Sequence, residues 1–340
     1  MKAFKITEPG RTALSEVEPP VPSAGEALLR VRRVGLCGTD LNSFRGRNPL
    51  ISYPRIPGHE IAATIEQVPD AASDPLRVGM NVTVLPYTNC GQCPSCRVGR
   101  PNACRANQTL GVQRDGALTE LIAVPFEKLF ACPDLSLDEL ALVEPLTVGF
   151  HAADRGQVAA GQTVVVLGCG AIGLGAVAGA AFAGARVIAV DIDDAKLAIA
   201  ARAGAAETVN SARQDLAETV SKLTAGDGPE VVIEAIGLGE TFRAAVEIVA
   251  FAGRVIYIGY AKQPVAYETK LFVQKELDIR CSRNAMADDF LRVIKMLRGG
   301  SFPTDEIITR TYPLAEAGKA LNDWDAAPPA FTKILINLDA

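Results

Sequence analysis

Cys90, Cys93, Cys96 and Cys104 lie close enough in the chain to close on one metal ion. Gly91, Pro94, Gly99 and Pro101 loosen the backbone between them, so that four thiolates can converge tetrahedrally on zinc. Four sulfurs leave no coordination position open, and the cluster reads as a structural site. Left as free or redox thiols, a set this dense would be prone to oxidation. A second set is sparser. Cys37 stands in Gly35-Leu36-Cys37-Gly38-Thr39-Asp40, His59 and Glu60 in Pro57-Gly58-His59-Glu60, and Glu144 in Val143-Glu144-Pro145. A thiolate, an imidazole and one or two carboxylates are enough to hold zinc with a position left open. The spacing alone also fits a core cysteine at a strand end and a plain Gly-His-Glu turn. The glycine and proline turns beside all three places favour the metal reading.

The third constellation is Gly168-Cys169-Gly170-Ala171-Ile172-Gly173, preceded by the apolar run Thr163–Leu167 and followed by a helix-compatible Ala/Gly segment and Arg186–Val190. The first glycine permits a tight turn, the second admits a pyrophosphate against backbone, and the third lets helix pack on strand. The helix N-terminus then offers unpaired N–H groups to the phosphates. Asp191, 18 residues past Gly173, can accept hydrogen bonds from the adenosine ribose. Asp193 and Asp194 follow with no arginine adjacent in the chain, a charge pattern that repels a 2′-phosphate and favours NAD over NADP.

Val164 to Ala185 carries no charge for 22 residues and includes Gly175-x-x-x-Gly179, which meets the length rule for a membrane helix. Six glycines in that window, three of them forming a turn after a β-branched run, fit a buried strand and helix better. The net charge of −5 without a basic run argues against nucleic acid or anionic membrane as a partner. The residues from Met1 to Glu8 lack an apolar signal core. Eight cysteines in that context are expected as thiols or metal ligands in a reducing cytoplasm.

These groups need two scaffolds, and a chain of 340 residues is long enough for two domains. Strands are expected over 27–34, 61–68, 82–85 and 118–124, separated by loops rich in Cys, Gly and Pro. After Pro145, strand-like runs recur at 163–167, 186–190, 206–209, 231–235, 254–258 and 277–281, with helical segments such as 194–203 and 241–250 between them. That alternation predicts an α/β architecture with a doubly wound, six-stranded parallel sheet. Helices over 287–298 and 314–324 and a strand over 331–338 are expected to return to the first domain. The boundaries are then 1–146 with 284–340, and 147–283 for the dinucleotide-binding domain. Cys132, Cys169 and Cys281 read as small buried hydrophobes, His151 as a structural histidine, and Met286 and Met296 as core or interface filler.

The motifs at 35–40, 57–60, 90–104, 142–149 and 163–191 together resemble the zinc-dependent medium-chain dehydrogenase/reductase family, the alcohol and sorbitol dehydrogenase relatives, from end to end of the chain. The resemblance implies a β-rich GroES-like catalytic domain beside a Rossmann domain, one catalytic and one structural zinc, and NAD. Alcohol dehydrogenase binds its catalytic zinc through two cysteines and a histidine. Here no second cysteine is available, and the polyol branch implies that Glu60 or Glu144 takes its place. By the same resemblance Thr39 hands on the substrate's proton, Lys196 reaches the adenosine ribose, and Ser282, Arg283 and Asn284 border the nicotinamide. Many relatives carry a relay histidine where this chain has Asn42, which cannot exchange a proton near neutral pH.

The implied activity is hydride transfer from a carbinol to NAD, the zinc acting as Lewis acid. Arg45, Arg47 and Arg114 lie in polar segments that line the cleft in relatives. They suit a polyol or sugar acid better than an aliphatic alcohol. The chain is similar to sugar-acid 5-dehydrogenases of the galactonate/gulonate kind. Threonine-dehydrogenase-like amino-alcohol oxidation uses the same parts, and a non-catalytic NAD-binding regulator would be expected to lose the open-site ligands. Relatives pair through the outer edge of the nucleotide sheet, which implies a homodimer or homotetramer.

Overall fold

Uninterrupted β-branched runs bury both faces of a strand, and Thr163–Leu167, Val231–Glu234 and Arg254–Tyr257 form the middle of a parallel sheet. The computed structural model describes residues 1–69 and 76–339. They divide into two units, Met1–Glu144 with Thr304–Ala340, and Pro145–Pro303. In the second unit the six strands lie in the order Glu207–Asn210, Arg186–Asp191, Thr163–Leu167, Val231–Glu234, Arg254–Tyr257, Asp278–Cys281, all parallel. The order reverses between Thr163–Leu167 and Val231–Glu234, the place where a doubly wound sheet opens a crevice for ligands.

The helix Ala171–Phe182 follows the first of these strands and explains the membrane-like stretch. A Cβ at Gly175 would stand 2.8 Å from the Leu146 carbonyl oxygen, and one at Gly179 3.0 Å from Phe150 Cα. Its small-residue stripe therefore packs backbone to backbone on the helix Leu137–Arg155. Among the described residues no helix is long and apolar enough to cross a membrane.

The helix Leu137–Arg155 carries the chain from the first unit into the second and has Pro145 within it. A proline there cannot donate to the carbonyl of Ala141. The helix starts on a reciprocal cap: Ser136 N donates to Glu139 Oε2 at 2.8 Å, and Glu139 N donates to Ser136 Oγ at 3.2 Å. His151, on this helix, is buried with its Nδ1 2.9 Å from Asp289 Oδ2 on the helix Ala287–Arg298. That contact helps hold the helix Ala287–Arg298 in the second unit, so the chain crosses back at Pro303/Thr304, later than position 284.

The first unit is built on a seven-stranded sheet. Ile308–Pro313, Lys333–Asn337, Glu26–Leu36, Glu60–Gln67, Asn81–Val84 and Leu129–Ala131 follow one another, and Leu121–Pro125 pairs with Glu26–Leu36. A separate hairpin, Lys2–Glu8 with Arg11–Glu16, opens the chain. The strand expected from 118 begins at Leu121. The returning tail pairs directly with the central strand, Ile334 opposite Leu36 and Leu335 opposite Gly35, and this places Lys333 beside the second metal constellation.

Candidate active site

Glu26–Leu36 runs into Cys37, which starts the short helix Gly38–Phe44; the Cys37 N–H donates to Asp40 Oδ2 at 2.9 Å. Antiparallel to that strand, Glu60 begins the next one opposite Gly35, with His59 just before it. A side chain at Gly35 would put its Cβ 1.9 Å from Glu60 Oε2, so this glycine makes the room that the carboxylate fills. One ligand atom each from Cys37, His59 and Glu60 lies within 4.8 Å of the others, and His59 and Glu60 are buried.

The donor set fits a divalent cation. Asp40, Glu60 and Glu144 are all buried, and Lys333 is in direct contact with Glu60. Burying that many acids without compensation is costly. His59 Nδ1 has no hydrogen-bond partner although it is buried, and neither has Asp40 Oδ1. Burial opposes charge on His59, yet its hydrogen bond with Cys37 and the nearby Asp40, Cys37 and Glu144 hold its pKa well above 6.5. Asp40 thus acts on the imidazole through its charge, while its Oδ2 holds the Cys37 amide. Burial pushes the carboxyl of Asp40 up, and that of Glu144 up to about 6.

Two partners that the sequence did not reveal fix the carboxylates. Lys333 Nζ lies 2.6 Å from both oxygens of Glu60 and donates to the Leu36 carbonyl at 3.2 Å. The hydroxyl of Tyr87, itself buried, donates to Glu144 Oε1. A lysine at the head of the strand Lys333–Asn337, followed by Ile334-Leu335-Ile336, was the local signal for the first. Thr39 Oγ1 is 3.7 Å from Cys37 Sγ, which places the hydroxyl at the edge of the cluster.

Zinc at this site competes with protons on Glu144 and His59. Extraction of one zinc per chain by a chelator is therefore expected to accelerate as pH falls through about 6, followed with a zinc dye over about pH 5 to 8. In the zinc-free protein the sign is opposite. The raised pKa of Glu144 contributes stability that is fully present below its ordinary 4.5 and lost as pH rises through about 6. An extraction rate flat with pH would remove this reading of the site.

The four-cysteine lobe is preformed. Cys93 Sγ is 3.5 Å from Cys96 Sγ and 3.7 Å from Cys104 Sγ, and Cys104 Sγ is 3.6 Å from Cys90 Sγ. A ZnS₄ tetrahedron with bonds of about 2.3 Å has edges of about 3.8 Å, whereas a disulfide is about 2.05 Å. The separations match the first. Hydrogen bonds from Ser95 and neighbouring amides bring the Cys93 thiol down to about 5.

In the second unit Gly168 has φ +97°, and a Cβ at Gly173 would collide with the Gly168 carbonyl oxygen at 1.8 Å. A Cβ at Gly170 would meet nothing within 4 Å, so the turn is open where phosphates approach. No side chain caps the helix that begins at Ala171 and Ile172. Asp191 is fixed by backbone: Oδ2 accepts from Cys169 N at 2.7 Å, Oδ1 from Ile192 N at 2.8 Å and Asp193 N at 3.1 Å. Lys196 is half-buried on the following helix. Ser282, Arg283 and Asn284 leave the C-terminal end of the edge strand; Ser282 is buried with Oγ unpartnered, and Asn284 has φ +54°.

Other expectations are sorted by the same geometry. Cys132 and Cys169 are buried, but Cys281 is exposed, because it ends an edge strand with a partner on one side only. Arg45 is drawn into an ion pair with Asp325, and Arg47 is exposed. Arg114 has no side-chain partner among the described residues and lines a hollow with Tyr87, Thr88, Leu110 and Lys128. Met286 and Met296 are half-buried.

Comparison with known proteins agrees with both halves of this geometry. Residues 23–134 match the family described as alcohol dehydrogenase GroES-like domain, and residues 171–298 that described as zinc-binding dehydrogenase. An uncharacterized zinc-type alcohol dehydrogenase-like protein of Haemophilus influenzae is 36% identical over 335 residues, covering 98% of each chain. L-galactonate-5-dehydrogenase of Escherichia coli is 32% identical over 315 residues, covering 93% of this chain and 92% of that one. A solved structure of an alcohol dehydrogenase from Escherichia coli CFT073, complexed with NADH, superposes with a TM-score of 0.91 at 31% identity and covers 99% of each chain.

Proposed function

The chain belongs to the zinc-type medium-chain alcohol and sorbitol dehydrogenase family, and on that premise we propose that it oxidises a secondary alcohol of a polyol or sugar acid to a ketone, with NAD as hydride acceptor. The observation that carries the reaction is the buried Cys37–His59–Glu60 cluster with its orphaned imidazole nitrogen. Zinc held there by Cys37, His59 and a carboxylate of Glu60 or Glu144 would supply a Lewis acid that lowers the pKa of an alcohol.

The protein's own groups do the rest. Asp40 caps the helix that carries Thr39 and favours the charged imidazole of His59, and Tyr87 fixes the rotamer of Glu144. Lys333 neutralises Glu60, so the site keeps its negative charge moderate. Thr39 Oγ1, at the edge of the cluster, can take the substrate's proton, and Asn42 offers no titratable group to receive it next. In the second unit, the open turn at Gly170 and the uncapped helix hold the pyrophosphate, and Asp191 with Lys196 takes the adenosine ribose. Ser282, Arg283 and Asn284 border the nicotinamide.

The substrate class is supported by the similarity to an L-galactonate dehydrogenase and by the arginines Arg45, Arg47 and Arg114 in polar segments. The hollow beside Tyr87 is small and almost wholly apolar in its wall, and does not bear on the substrate class. A screen of sugar alcohols and sugar acids on zinc-replete protein, followed by NADH absorbance, is expected to find its best kcat/KM among sugar acids. Turnover confined to simple primary alcohols would end this reading. The edge strand Asp278–Cys281, with Ile279 exposed, supports assembly of two copies through that edge.

A further inference from the structure

Three carboxylates, Asp191, Asp193 and Asp194, stand where a 2′-phosphate would come, and the fold adds a cation that the chain does not place nearby. Asn210 lies opposite Asp191 across the parallel strands, and the Ser211 N–H donates to the Asp191 carbonyl at 3.0 Å. The turn that follows is closed by Arg213 N donating to Asn210 O at 3.1 Å, and it carries the Arg213 guanidinium onto Asp194 Oδ2. Asn210 Nδ2 holds the other oxygen of Asp194 at 2.6 Å and the Ile192 carbonyl at 3.2 Å. Asp193 is already used as the cap of the next helix, accepting from Ala195 N at 2.8 Å.

We propose that the Asp194–Arg213 pair sets the choice between NAD and NADP: Asp194 engages a guanidinium that would otherwise receive a 2′-phosphate. The inference rests on the reading that Asp191 binds the adenosine ribose. An arginine beside the ribose acid is what accommodates a 2′-phosphate in a Rossmann site. Here that arginine is present but engaged, and its partner adds a negative charge of its own. Both side chains are largely exposed, 64% for Arg213 and 63% for Asp194, and the guanidinium's ion-pair partner among the described residues is Asp194. Removing the carboxylate therefore frees a phosphate reader and also removes a repulsion, and the two effects can be separated.

The test is direct fluorescence titration of purified protein with NADH and NADPH. Asp194→Ala is expected to shift the ratio of the two dissociation constants toward NADPH by about tenfold, the scale of one charge-assisted hydrogen bond. Asp194→Ser, which keeps a hydrogen-bonding group for Asn210, shifts it the same way. In Asp194→Ala/Arg213→Ala most of the shift disappears, and Arg213→Ala alone moves the ratio further toward NADH. An equal shift in the double variant, or none in either single Asp194 variant, overturns the proposal. Failure of the underlying reading looks different: the wild type would not bind NADH, or Asp191→Ala would bind it as well as the wild type.

Discussion

Lys333→Met is expected to destabilise the zinc-free first unit by about 3–5 kcal/mol, the cost of stranding one member of a buried ion pair. The Lys333 side chain is 3% exposed and that of Glu60 is fully buried, with both carboxylate oxygens 2.6 Å from one ammonium. Water cannot replace that ammonium, because Gly35 lets the carboxylate fill the space beside the strand. The methionine is nearly isosteric, so the loss reads charge rather than volume. Urea unfolding of chelated wild type and variant measures it. Lys333→Met/Glu60→Gln should recover most of the loss, since no uncompensated charge then remains. A loss below about 1 kcal/mol, the range of exposed pairs, would mean that solvent reaches this one.

That prediction could not have been made from the sequence. Glu60 and Lys333 are 273 residues apart, and they meet only because the tail strand pairs with Glu26–Leu36. Elements whose burial is uniform were legible, and the parallel strands at 163, 186, 231 and 254 fall where the apolar runs place them. So was the helix Ala287–Arg298, whose apolar stripe is strongly one-sided. So were the two clusters, the four cysteines by their short spacing and Cys37 with His59 and Glu60 by the glycine and proline turns beside them. What surrounds them was not. Tyr87 reaches Glu144 across 57 residues and Arg213 reaches Asp194 across 19, with nothing local to mark either. The helix Leu137–Arg155 was missed because Pro145 reads as a break, although the Ser136-x-x-Glu139 box announced its start. Cys281 was misplaced because an apolar strand at a sheet edge looks like one in the middle.

Cys37→Ser and His59→Ala are each expected to lower kcat/KM by about 10³-fold or more, corresponding to several kcal/mol of lost Lewis-acid assistance. In both, the zinc content should fall from two per chain to one, while the retained structural zinc keeps the unfolding midpoint above that of the chelated wild type. Cys93→Ser separates the two metal sites from the other side. Its sulfur contributes to a closed cluster with neighbours at 3.5 and 3.7 Å, so its loss should also remove one zinc. It should cost stability first and activity only as the fold loosens. Two zincs retained in Cys37→Ser, or near-normal turnover in His59→Ala, would detach the chemistry from this cluster. The contrast between the variants is decisive because both classes lose the same amount of metal. Only the position of the lost ion, at a site with a coordination place open or at one with none, then decides whether the reaction fails.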